Sequence, residues 1–184
     1  MNAEAIVLGI IEASGGALEG RTRLQKMAYF VSRKLSIPAG FEPHYYGPYS
    51  RLISAETDGA VSRSILHEER KDLGASRSAG DFKRVLYKYS LSPRGRTYLK
   101  ALKSLDHNGF GQLAEIVTRI RGTGADYRQL SCAAKIDYLL RRAGGKTTRS
   151  RAKTEARQLG WRLSDADIEA AIFILEKLEI VKPR

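Results

Sequence analysis

The sequence predicts a mainly α-helical fold that contains one small β-hairpin. Apolar residues recur at the three- and four-residue spacing of amphipathic helices along most of the chain. One stretch, residues 82–91, instead alternates between two sets of side chains, which is typical of a β-strand. The composition is that of a globular protein, with 42% hydrophobic and 28% charged residues, and a chain of 184 residues can bury a core without disulfides.

Local start and stop residues define the elements of the N-terminal half. Thr22 is placed to cap the second helix, Pro48 suits the first turn of the third, and Ser92 and Pro93 are a cap and a first helical residue. The polar stretch 68–81 is typical of a hairpin tip. In chain order the predicted elements are helices at 3–13, 22–35 and 48–64, with a short aromatic extended segment before the third, strands beginning at 65 and 82, and a helix at 93–105.

This order of elements predicts a winged helix-turn-helix over residues 1–106, with the hairpin as the wing. Residues 107–184 are expected to form a basic, helical C-terminal module, either separate from the first unit or packed with it. The last helix is apolar on two sides, which indicates burial on both and favours a homodimer. The elements predicted for this module are helices at 110–121, 128–142, 149–159 and 165–178, and a short strand at 179–182.

The charge of the chain is strongly positive and unevenly distributed. The formal net charge is +12, and residues 51–150 hold 20 basic residues against ten acidic ones. Such an excess favours polyanions, because each contact with a phosphate releases condensed counterions. Nucleic acid is therefore the predicted partner, DNA before RNA. A basic surface kept for solubility, or one that matches an acidic protein partner, is the alternative.

Two motifs in the N-terminal half resemble those of a known family. They are the segment GRTRLQKM at 20–27 and the segment HYYGPYS at 44–50, with YSLSPRG at 89–95 as a further match. Over these segments the chain resembles the YwgA-like family of small bacterial and archaeal proteins, and it is more distantly similar to the Panacea-type antitoxin domain. The resemblance spans roughly residues 1–105. It implies a winged-helix fold and a regulatory or toxin–antitoxin setting, and it implies no catalytic residues.

Two helix starts carry candidate nucleic-acid contacts, because free N–H groups at a helix N-terminus bind phosphate. At the start of the second helix, Arg23 and Lys26 are expected to lie on one face. An ion pair with an acidic residue such as Glu19 is the alternative. We expect Tyr45 and Tyr46 to pack into the core and brace the third helix. The candidates are Tyr49, Ser50 and Arg51 at the third helix, and Arg21, Arg23 and Lys26 at the second.

The wing and one loop supply the other candidate contacts. No acidic residue lies between Asp137 and Glu155, and basic residues at the start of a helix oppose its dipole, which favours a functional role for them. An ordinary solvated hairpin and a solvated loop are the alternatives. The candidates are Arg70, Lys71, Arg77, Lys83 and Arg84 in the wing, and Arg141, Arg142, Lys146, Arg149, Arg151 and Lys153 in the segment 141–153.

The motifs of several enzyme classes do not occur in the sequence. There is no phosphate-binding glycine loop, no dinucleotide fingerprint and no metal-binding helix pair, so no catalytic residue, cofactor or metal is predicted. Cys132 is expected to be a small buried residue. Trp161 is expected to pack on Ile172 or Leu175, with base stacking as the alternative.

The leading hypothesis is a regulatory protein that binds double-stranded DNA through a winged helix and the basic segment 141–153. A protein-interaction adaptor or antitoxin-like component of a larger complex is the alternative, and a nucleic-acid-processing enzyme is a third. No apolar run approaches the roughly 18 residues of a membrane span, so a cytoplasmic protein without a membrane partner is expected.

Overall fold

The computed structural model describes residues 1–75 and 83–182, and it is mainly helical with a small antiparallel β component, as predicted. The helices are α1 (Ala3–Ala13), α2 (Arg21–Lys34), α3 (Arg51–Ser62), α4 (Pro93–Leu105), α5 (His107–Gly122), α6 (Tyr127–Arg142), α7 (Arg149–Gln158) and α8 (Asp165–Lys177). The strands are β1 (Ala17–Glu19), β2 (Phe41–Glu42), β3 (Tyr49–Ser50), β4 (Leu66–Ala75) and β5 (Lys83–Leu91).

The strands form two small antiparallel sheets. One has the order β1-β5-β4, so the short strand β1 after the first helix pairs with the second strand of the hairpin. The hairpin pairs Leu66 with Leu91 at its base, and its register shifts between Asp72 and Ala75. The other sheet pairs β2 with β3 and thereby ties the segment after α2 to the residues just before α3.

The start of α4 follows the predicted chemistry. Ser92 has an extended backbone and its hydroxyl accepts a hydrogen bond from the Gly95 N–H at 2.8 Å, while Pro93 occupies the first helical position. A Cβ at Gly95 would lie 2.1 Å from the Ile65 carbonyl oxygen, so only glycine lets α4 approach the base of the hairpin this closely.

Two predicted helix starts and one predicted cap are wrong. α5 begins at His107 rather than Phe110, because the Asp106 side chain caps it by accepting from the Gly109 N–H at 2.9 Å. α3 begins at Arg51 rather than Pro48, because Ser50 keeps an extended backbone and caps the helix by accepting from the Ile53 N–H at 3.1 Å. The second helix begins at Arg21, and the cap position is Gly20, which makes no side-chain cap bond. Thr22 therefore lies inside the helix and is not its N-cap.

Two predictions outside the helices also need correction. The predicted polar tip at 68–81 is strand as far as Ala75, since residues 68–72 and 75 pair across the hairpin. The rest of that tip lies outside the described residues. The short strand predicted at 179–182 does not form, because Glu179, two residues after the end of α8, adopts a left-handed φ of 53° and turns the chain.

The core is organised around α1 and α2. Ile6, Val7 and Ile10 of α1 are fully buried, and α1 packs against α3 and α5 while α2 packs against α6. One hydrophobic cluster consequently runs through residues of both 1–106 and 107–184. Helix α8 packs on α6 and leaves Phe173 exposed on its outer side. The homodimer remains a prediction.

Candidate nucleic-acid interface

The two sequence motifs meet in space, at a contact between α2 and the segment that precedes α3. The Gln25 amide donates to the Ser50 carbonyl oxygen at 3.0 Å, and its oxygen accepts from the Ser50 N–H at 3.0 Å. The side chain therefore pairs with the backbone as a neighbouring strand would. Both residues are buried, so this pair of hydrogen bonds satisfies two backbone groups that water cannot reach.

Lys26 completes this contact from the next position of α2. Its ammonium group is buried and donates to the Pro48 carbonyl oxygen at 2.6 Å. Burial, together with the charge of Lys135, lowers the pKa of Lys26 to about 7. The expectation that Lys26 shares an exposed face with Arg23 is wrong, because its side chain points into the protein and cannot reach a phosphate on the surface.

The three residues predicted to contact nucleic acid at the start of α3 lie in different environments. Ser50 is fully buried, and its hydroxyl donates to the Ala39 carbonyl oxygen and caps the helix, so it has no free surface for a ligand. Tyr49 is half-buried, with its ring 5.0 Å from that of His44. Arg51 is exposed at the first helical position. Only this arginine keeps the full surface placement that the sequence predicted.

The exposure of two tyrosines is the opposite of the expectation. Tyr45 is 72% exposed and Tyr46 is 53% exposed, and their rings meet edge to face. The chain at this point is held by other groups: the Trp161 indole N–H donates to the His44 carbonyl oxygen at 2.7 Å. Gly47 has a left-handed φ of 95° and packs so closely on the Lys135 side chain that a Cβ at this position would lie 3.0 Å from it. The tyrosine side chains are therefore left on the outside of a fixed loop.

Trp161 is structural, as expected, although its partners differ from those predicted. It is buried in a small cluster with Leu139 and Ala156, and its ring meets Tyr138 edge to face at 5.9 Å. Ile172 and Leu175 belong instead to the main core cluster. A ring with 1% exposure has no free face on which a base could stack.

The start of α2 is largely committed to internal contacts. Arg21 donates to the Tyr89 hydroxyl at 2.7 Å, forms ion pairs with Asp58 and Glu68, and stacks over the Tyr87 ring at 4.5 Å. These contacts fasten α2 to the hairpin and to α3. Arg23 is half-buried.

Of the five candidate cations in the wing, two have side chains in the described part of the structure. Arg70 is exposed but pairs with Glu68 at 2.6 Å, and Lys71 is exposed. Arg77 lies outside the described residues. The backbones of Lys83 and Arg84 belong to β5, but their side chains lie outside the described part of the structure.

The segment 141–153 consists of two sets of basic residues. Three of them in α7 pair with carboxylates that are distant in sequence or one turn away: Arg149 with Glu169, Arg151 with Glu155, and Lys153 with Asp165. The other three are exposed, and no carboxylate of the described residues lies within ion-pair distance of them. We call these three the corner cluster, since they lie where α6 ends and the chain turns towards α7: Arg141, Arg142 and Lys146.

Helix α4 is a basic surface that we did not predict. It contains four basic residues and no acidic one, a bias that is visible in the sequence. Arg96, Lys100 and Lys103 follow the i, i+4, i+7 spacing and therefore lie on one side of the helix. Lys103 pairs with Glu12 at 3.0 Å, and Arg94 and Lys100 are exposed.

Residues 1–75 and 83–182 do not form a metal-ligand set. No group of three or more histidine, cysteine, aspartate or glutamate side chains in these ranges could hold a metal ion. Cys132 is half-buried rather than buried as expected, and this partial burial raises the pKa of its thiol to about 11, so the side chain is a thiol rather than a nucleophilic thiolate at neutral pH. None of the helices in the same ranges is long and apolar enough to cross a membrane.

The fold and this geometry define a mainly helical protein with a small antiparallel sheet and a basic surface. The chain is 32% identical over 89 residues to a protein of Bacillus subtilis (strain 168) described as "Uncharacterized protein YwgA". The match covers 47% of this chain and 48% of that relative, so the chain spans about half the length of the curated protein it resembles. No family model matches the chain.

Proposed function

We propose that this protein is a winged-helix nucleic-acid-binding protein that contacts the phosphate backbone of duplex DNA through the corner cluster. The observation that carries the proposal is the presence of three exposed cations, without carboxylate partners in the described chain, at one turn between helices. A cation that has no carboxylate partner can neutralise a phosphate, and so release counterions from the DNA, without first breaking an ion pair in the protein.

The topology supports the winged-helix part of the proposal. The order α1, β1, α2, α3, β4, β5 and the sheet order β1-β5-β4 are compatible with a winged helix, in which α3 is the proposed recognition helix and β4 and β5 are the proposed wing. The YwgA and Panacea-type resemblances of residues 20–27 and 44–50 agree with this assignment.

The charge of α3 favours contact with the phosphate backbone over readout of bases. Arg51 is exposed at its start, but Glu56 and Asp58 follow on the same short helix, and Asp58 is paired with Arg21. A helix with more acidic than basic side chains is repelled by the phosphates that border the major groove. The proposed binding is therefore weakly dependent on DNA sequence.

A salt titration with a random-sequence duplex tests this proposal. Counterion release contributes a slope of about 0.9 per phosphate contact in a plot of log affinity against log salt. Replacing Arg142 and Lys146 together by alanine removes two contacts and lowers the slope by about two. The matched control exchanges the same residues as R142K and K146R; it keeps both charges and preserves the slope.

A second variant locates the surface. Replacing Arg94 and Lys100 by alanine removes the same charge from α4 and leaves the slope at its wild-type value. If this α4 variant loses the slope and the R142A/K146A variant keeps it, the corner cluster is not the contact. If the wild-type protein binds no duplex at low salt, DNA binding itself is wrong.

A protein-binding role, as an adaptor or antitoxin-like component, is favoured by one further observation. Tyr45 and Tyr46 are exposed beside each other, Tyr127 is 41% exposed, and Arg128 lies over the Tyr127 ring at 5.8 Å. Tyrosine and arginine are the residues enriched in protein interfaces. Replacing Tyr45 and Tyr46 by serine leaves duplex affinity unchanged under the leading proposal. It removes an acidic co-purifying protein under the alternative.

A further inference from the structure

A cleft with an unusual set of polar groups lies between α2, the loop at 36–41 and α6. Its volume is about 400 Å³, which is within the range of small-molecule sites in proteins. Two guanidinium groups and two tyrosines border it, together with apolar side chains of the loop. The Gln25 and Lys26 contacts described above lie outside this cleft, whereas the Ser50 hydroxyl donates to the carbonyl oxygen of Ala39, which lines it.

Two buried polar atoms of the cleft have no hydrogen-bond partner within the described part of the chain. They are the hydroxyl oxygen of Ser32, a residue that is 5% exposed, and the Nε atom of Arg33. Buried polar groups are nearly always satisfied in folded proteins, by protein or by another molecule. Both atoms are occluded from solvent, but both residues line one cleft, so a rotation of each side chain would bring its unpartnered group to a molecule bound there.

The charge of the cleft favours an anion. Beneath it, the buried Asp137 accepts from the Tyr29 hydroxyl at 2.7 Å and lies 3.4 Å from the Arg33 Nε, close enough for an ion pair but not aligned as a hydrogen bond. Arg141 borders the cleft and is exposed. One carboxylate and two guanidinium groups therefore lie at or beneath the cleft, which leaves one positive charge to be matched by a ligand.

The opposite side of the cleft is apolar. Ile37, Pro38 and Phe41 line it, and the Phe41 ring is held edge to face against Tyr29 at 5.2 Å. We propose that this cleft binds a small organic anion, with its oxyanion head between Arg33, Ser32 and Arg141 and its apolar body against this loop. The site is independent of the nucleic-acid surface except for Arg141, which borders both.

Calorimetric titration of the full chain with benzoate and with phenyl phosphate tests the proposal. Both probes carry a flat apolar body and differ in the oxyanion head, and benzyl alcohol is the uncharged control. We expect at least one of the two anions to bind and benzyl alcohol not to bind. The Ser32→Ala variant binds the anion with an affinity about tenfold lower, since the substitution removes a hydrogen bond to a charged group.

The same variant separates a binding role from a structural one. Because the Ser32 hydroxyl has no partner among residues 1–75 and 83–182, its removal leaves the unfolding midpoint in urea unchanged or raises it. Arg33→Lys keeps the charge beside Asp137, so it preserves the fold, but it removes the fork geometry and weakens the anion.

The proposal is overturned if neither anion binds the wild-type protein, or if S32A and R33K bind the anions with wild-type affinity. Loss of duplex binding in R142A/K146A leaves the cleft result unaffected, since neither variant residue lines it. A failure of the nucleic-acid proposal and a failure of this one are therefore distinguishable.

Discussion

Lys26 offers the sharpest test of the contact between the two motifs. An ammonium group with 1% exposure, donating to a single carbonyl oxygen at 2.6 Å, has lost most of its hydration. Replacing it by methionine keeps the length and apolar stem of the side chain, but it removes the titrating group and the donor to Pro48. The predicted consequence is a change in how stability depends on pH.

The size of this effect follows from the two pKa values. The pKa is about 7 in the folded protein and 10.5 for the unperturbed group, so above about pH 7 the unfolded chain binds more protons at Lys26 than the folded one. Stability therefore rises with pH through this window, with a limiting slope of about 1.4 kcal/mol per pH unit. Between about pH 7 and about pH 9 the contribution of Lys26 to the free energy of unfolding increases by about 2 kcal/mol.

Urea unfolding of the wild-type protein and of Lys26→Met at a series of pH values measures this contribution as a difference. The titrating groups that do not interact with Lys26 are shared by both proteins and cancel. Lys135, whose charge lowers the pKa of Lys26, is coupled to it and contributes to the difference. Lys100→Met, on the exposed side of α4, is the matched control and shows a constant difference from the wild type. A Lys26 difference that stays constant from about pH 7 to about pH 9 would refute the claim that the ammonium group is buried and strained by its desolvation.

Three further outcomes follow from the same geometry. Gln25→Leu leaves the N–H and carbonyl groups of Ser50 without partners, so the free energy of unfolding in urea falls by about 2–5 kcal/mol; a loss below about 1 kcal/mol contradicts the pairing. Gly95→Ala lowers the melting temperature, because its Cβ would lie 2.1 Å from a carbonyl oxygen, whereas Gly111→Ala, in open space on α5, raises it; equal shifts would show that the close approach is absent. Cys132 reacts slowly with a disulfide reagent at about pH 8 in the folded protein and rapidly in urea, because partial burial raises the pKa of its thiol to about 11; similar rates would contradict this partial burial.

Much of the secondary structure was predictable, because its signals are local. A serine followed by a proline before an apolar helical pattern favours a helix start, and Ser92 and Pro93 start α4 in this way. Helices α6, α7 and α8 begin within one residue of the predicted positions. The start of α3 was not predictable in this way. Pro48 and Ser50 both favour helix starts, and the choice between them was made by hydrogen bonds from Gln25 and Lys26, which lie on another element.

The candidate site was predicted in outline but not in its details. The absence of acids between Asp137 and Glu155 correctly identified a basic segment, but Glu169 and Asp165 of α8 return to pair with α7. Only the part of the segment before α7, with Lys146, keeps its charge unpaired within the described residues. Pairing of this kind depends on how helices pack, and spacing along the chain contains no information about it.

The amino-acid sequence by itself therefore determined the helical class, the hairpin, the positive charge and the two motifs that meet in the core. These depend on periodicity, composition and capping, which act over a few residues. The tertiary structure decided that Lys26 is inside, that Tyr45 and Tyr46 are outside, and that Ser32 and Arg33 share a cleft. The physical reason is that burial and ion pairing depend on neighbours brought together by packing, and those neighbours lie far apart along the chain.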